Sequence, residues 1–139
     1  MEVIGKVSTI VVVMDANALV PAALCDFLLR AASKDIYRLL WTEDILEEVR
    51  RTLINDLGKS EAEALANKRI EAMRDAFPDA LVTQYTTLIP AMTNDPKDRH
   101  VLAAAVVSGA QIIVTSNLAD FLPEWLSPFL LKHNHLINS

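Results

Sequence analysis

Cysteine, glycine and aromatic residues are scarce in this chain. Cys25 is the only cysteine among 139 residues, so no disulfide forms within the chain, and zinc ribbons and thioredoxin-like motifs are excluded. A reducing compartment, the cytoplasm, is the expected location. Three glycines leave no glycine-rich phosphate loop, which sets aside P-loop and dinucleotide binding. With aromatics at 6%, Trp41 and Trp125 read as packing residues rather than a base-stacking platform. Positive charge is also short, 13 Lys and Arg against 18 Asp and Glu for a net charge of -5. That argues against holding nucleic acid by bulk attraction, but not against an enzyme that meets phosphates through bound cations.

What the chain does have is apolar residues, 52% of the total, which excludes intrinsic disorder. A chain of about 150 residues removes about 70% of its unfolded surface from water, so one globular domain over residues 1–139 is expected. The run Val7 to Met14 is far shorter than the roughly 20 residues that span a bilayer. Its β-branched stretch Thr9 to Val13, closed by Asp15, reads as a fully buried parallel strand rather than a secretion signal.

Helical spacing follows Pro21, through Ala22, Leu24, Phe27, Leu28 and Ala31. A short strand is expected at Tyr37 to Trp41, and Thr42 caps a helix carrying Ile45, Leu46, Val49 and Leu53. Ser60 and Glu63 suggest a capping box for the next helix, which Pro78 ends. Leu81 to Tyr85 alternates like a strand. Asp95 and Pro96 open a further helix that Gly109 stops. Ile112 to Val114 makes another buried strand, followed by the polar turn Thr115 to Asp120. Strands alternating with helices imply a parallel sheet covered on both faces.

Ligands of such sheets bind beyond the carboxyl ends of the strands. Asp15, Asp98 and the turn to Asp120 converge on that edge, and Glu48 on the second long helix can approach it. Four carboxylates at one mouth repel each other and resist ionising together. A hard divalent cation removes the conflict and can drive phosphodiester hydrolysis by activating water. Each acid also has an ordinary reading, as a strand-end cap, a first-turn helix residue, a solvated helix residue beside Glu43, Asp44 and Glu47, or a turn residue. Their joint arrangement favours function. His133 and His135 read as solvated tail residues, and His100, near the site beside Asp98 and Arg99, is explained as well by packing or solvent contact. Arg50, Arg51 and Arg99 read as helix charges, with steering of a phosphate backbone as the alternative.

The segments VVVMDANALVPA at 11–22, TEDILEEVRRTL at 42–53 and DPKDRHVLAAAVVSGAQIIVTSNLADF at 95–121 together resemble the PIN-domain ribonucleases, particularly the bacterial (VapC-like) branch of toxin components from toxin-antitoxin pairs. The resemblance covers about residues 8–123. It implies a three-layer α/β/α domain with a central parallel sheet of four to five strands, and cleavage of single-stranded RNA with one or two magnesium or manganese ions. By residue it implies metal ligation by Asp15, Glu48 (with Glu47 as the registration alternative), Asp98 and Asp120. Asn17, Thr115 and Asn117 support the site, and Asn117 stands where many members carry a fourth aspartate. It also implies a small antitoxin partner and a homodimer. Two alternatives stay open: a non-catalytic binding module of the same fold, and a phosphoryl hydrolase of the haloacid-dehalogenase type. The latter needs D-x-D, where this chain has Asn17.

Overall fold

The computed structural model describes residues 10–58 and 60–115. Among them a three-stranded parallel sheet runs in the order β2-β1-β3, with β1 at Val11–Met14, β2 at Arg38–Leu40 and β3 at Ile112–Val114. Val12, Val13 and Met14 are consecutive and all buried. Successive side chains of a strand point to opposite faces, so both faces of the central strand are covered.

Five α-helices flank the sheet among the described residues: α1 at Ala16–Leu19, α2 at Ala22–Ser33, α3 at Glu43–Leu57, α4 at Ala62–Ala76 and α5 at Arg99–Ser108. Short 3-10 turns occupy Thr86–Ala91 and Pro96–Asp98. Helix α3 packs on α4 and α1, α2 on β2, and α5 on β1 and β3. No described helix is long and apolar enough to cross a membrane.

Local chemistry explains most boundaries. The Thr42 hydroxyl accepts from the Ile45 amide at 3.0 Å, and Gly58 closes α3 in the left-handed region at φ 60°. Asp95 caps the turn that leads into α5, and Gly109 ends that helix at φ 70°. Trp41 is fully buried and meets Phe77 edge-on at 6.0 Å, in keeping with a packing role. The Arg69 guanidinium, on α4, donates to the carbonyls of Leu19 and Val20, satisfying the open end of α1.

Two expectations are corrected. Leu81 to Tyr85 is not a strand, so the described sheet has three strands rather than the expected four to five. Its extended pairing is a single rung in which the Trp41 amide donates to Ala80 and the Val82 amide donates to Trp41. Gln84 then adopts a positive φ of 61°, which turns the chain into the 3-10 segment. The capping box does not form either. The Ser60 hydroxyl donates to its neighbour Glu61, and α4 starts without a side-chain cap.

Candidate active site

At the carboxyl end of the sheet, β1 and β3 lie side by side and the Asp15 amide donates to the Val114 carbonyl at 3.0 Å. The Asp15 side chain is 3% exposed. One carboxylate oxygen accepts from the Ala16 amide at 2.8 Å, and the other from the Thr115 hydroxyl at 2.7 Å. Asp15 therefore does cap α1, yet it also lines an open cleft. Burial raises its pKa above the ordinary 3.8; the bonds from Thr115 and Ala16 oppose the rise and the charge of Glu48 adds to it.

The cleft, of about 380 Å³, is lined by Asp15, Ala16, Asn17, Glu48, Arg51, Thr52, Asn55, Lys97 and Asp98. Three of the four expected carboxylates thus share one mouth. Asp98, 6% exposed, ends the 3-10 turn and opens α5. Asp95 does not line the cleft; its side chain accepts from the Lys97 amide at 3.2 Å. Adjacent Glu47 and Glu48 are likewise sorted. Glu47 accepts from Arg50 at 3.0 Å and from Arg51 at 3.2 Å, and these partners hold its pKa low. Glu48 faces the cleft. Asn117 and Asp120 lie outside the described residues, as do Trp125, His133 and His135.

The cations separate too. Arg50 pairs with Glu47 on its own helix and reaches Glu63 and Asn67 of α4. Arg99 donates to the Asn94 carbonyl at 2.9 Å. Arg51 and Lys97 line the cleft. Of the readings open for His100, the structure places it beside the cleft, its Nε2 3.4 Å from a Glu48 carboxylate oxygen. Burial works against protonation of the ring, but Glu48, with Asp44 and Asp15 behind it, outweighs burial and raises its pKa.

Sequence reasoning missed Thr52, Asn55 and Lys97 as cleft residues. The signal was present, since Arg51, Thr52 and Asn55 follow Glu48 at i+3, i+4 and i+7, the spacing of one helix face.

The donor set is made of carboxylate oxygens with amide and hydroxyl neighbours, the chemistry that suits hard divalent cations. Two of the carboxylates are buried, and one is held against its own ionisation. A cation in the cleft relieves that cost, so the residues present fit such an ion in kind. Among the described residues, no three His, Cys, Asp or Glu side chains are drawn together tightly enough to form a closed cage.

A parallel α/β domain with an acidic cleft at the carboxyl edge of its central strand is the class defined by this fold and site. The PIN domain family matches residues 11–119, and the chain belongs to that family. It is 48% identical over 62 residues to a protein of Mycobacterium tuberculosis named "Putative ribonuclease VapC50", an alignment that covers 42% of this chain and 37% of that relative. The chain thus spans well under half the length of this curated relative. No solved structure matches it significantly.

Proposed function

We propose that the protein is a cytoplasmic, magnesium- or manganese-dependent endoribonuclease and the toxin component of a toxin-antitoxin pair. The observation that carries the reading is that Asp15, Glu48 and Asp98, from three separate elements, line one cleft at the carboxyl end of the sheet. Membership of the PIN family and the name of the mycobacterial relative support ribonuclease chemistry. The antitoxin, a small protein that occupies the groove, rests on the resemblance to the toxin branch.

When bound, a divalent ion supplies Lewis acidity toward the phosphate oxygens and activates the attacking water. Asp15, Glu48 and Asp98 would hold it, with Asp120 or Asn117 completing the set. Thr115 and the Ala16 amide fix both oxygens of Asp15, so one ligand is oriented before the ion arrives. Arg51 and Lys97 present positive charge to the phosphodiester backbone at the cleft. Hydrolysis adds water across the phosphorus–oxygen bond and releases two RNA fragments. The RNA enters single-stranded.

The test is cleavage of an end-labelled single-stranded RNA by the full chain with Mn2+ or Mg2+ and with a chelator. Cleavage that requires the metal and is lost in Asp15→Asn and Asp98→Asn, with circular dichroism unchanged, supports the reading. Metal-independent cleavage, or full activity in either variant, refutes the site. Metal binding without cleavage of any RNA favours a binding module.

A further inference from the structure

His100 lies in the first turn of α5, two residues after Asp98, and its side chain is 14% exposed. Its Nε2 faces Glu48 of α3 at 3.4 Å, while Nδ1 is buried with no hydrogen-bond partner among the described residues. A carboxylate accepts only from a nitrogen that carries a proton. The only ring nitrogen that can serve Glu48 is therefore Nε2, whatever the charge of the ring.

This contact joins the two helices that bear cleft acids. Glu48 is half-exposed on α3, and a glutamate there has three side-chain torsions to settle. Asp15 needs no such help, being held by Thr115 and Ala16. Asp98 is fixed by its buried place at the head of α5. Glu48, half-exposed on α3, meets His100 of α5 across the gap between the two helices.

We infer that His100 is the positioning residue for Glu48, tying α3 to the head of α5 through Nε2 and aiming the carboxylate into the cleft. This rests on the metal-site reading of the cleft. Partners that orient ligating carboxylates act on metal affinity about 10–100-fold.

The two amide replacements of histidine separate this role from packing. Glutamine carries an N–H at the reach of Nε2, and asparagine at the reach of Nδ1. Calorimetric titration of the full chain with Mn2+ is expected to give His100→Gln an affinity within about threefold of wild type and His100→Asn a loss of about tenfold, with both variants folded by circular dichroism. Unchanged affinity in His100→Asn, or equal losses in both variants, overturns the proposal. The tether has a readout without metal: the imidazole Nε2–H signal in nitrogen-15 NMR is expected to be protected in wild type and lost to exchange in Glu48→Ala. A signal indifferent to that substitution overturns it. If wild type shows no heat with Mn2+, the metal reading itself fails, and the NMR result alone judges the tether.

Discussion

The hydroxyl of Thr115 donates to the carboxylate of Asp15 at 2.7 Å, across the seam between the central strand and β3. A site ligand is thus held by a residue a hundred positions away in sequence. Removing the hydroxyl in Thr115→Val leaves a buried carboxylate oxygen short of one donor. The expected cost is about 1–3 kcal/mol in urea unfolding, together with a fall in RNA cleavage. Thr115→Ser, which keeps the donor, should retain most of both.

Asp15 also sets stability against activity. Burial raises its carboxyl pKa in the folded protein above the ordinary 3.8, so folding favours the protonated form. The contribution of this group is fully favourable below the unfolded pKa and is lost as pH rises through the higher folded value. At neutral pH without metal, the ionised group therefore burdens the fold. Asp15→Asn is expected to raise the metal-free melting temperature at pH 7 by about 2–4 °C, with the gain shrinking toward pH 4, while cleavage disappears. Equal or lower melting at pH 7 would contradict this.

Glu47 and Glu48 should respond oppositely to the same substitution. Glu47→Gln removes a half-exposed partner of Arg50 and Arg51, and surface pairs of this kind add little to stability. Its cleavage rate should stay within about twofold of wild type. Glu48→Gln should lower the rate by about a hundredfold or more with little change in unfolding, as expected when a metal ligand is lost.

Tyr85 supplies an alkaline marker. Burial first, and then its hydrogen bond to Asp44, push its phenol up to about 12 from the ordinary 10. A raised pKa means that its contribution to stability is complete below pH 10 and is lost as pH climbs through 12. In Tyr37→Phe, which removes the other tyrosine, ultraviolet titration of tyrosinate should show a midpoint near 12. A midpoint at 10 would place Tyr85 in solvent.

How much of this was legible depended on whether the deciding contact was local. The Thr42 cap, the Asp95 and Pro96 start, the Gly109 stop and the buried valines of β1 could be read directly, because each depends on neighbours within a few residues. Leu81 to Tyr85 misled because the residue types alternate as in a strand, yet Val82 and Tyr85, three apart, are the buried pair and Gln84 breaks the extension. Resemblance alone puts Glu48 first with Glu47 as the alternative; in the structure Glu47 is taken up by Arg50 and Arg51 while Glu48 lines the cleft. The role of His100 stayed open between the site, packing and solvent because its partner lies 52 positions back on another helix. Asp15 and Asp98, at the ends of elements, needed only the topology of a parallel sheet to be brought together.

The strand order has a consequence for synthesis. The central strand is made early, but one of its edges stays open until β3 is made, and Asp15 meets its hydroxyl partner only with the residue that follows β3. A nascent chain that has emerged only as far as α5 carries all three described acids but lacks the Thr115 contact. During translation the cleft is therefore completed only once β3 and Thr115 have left the ribosome.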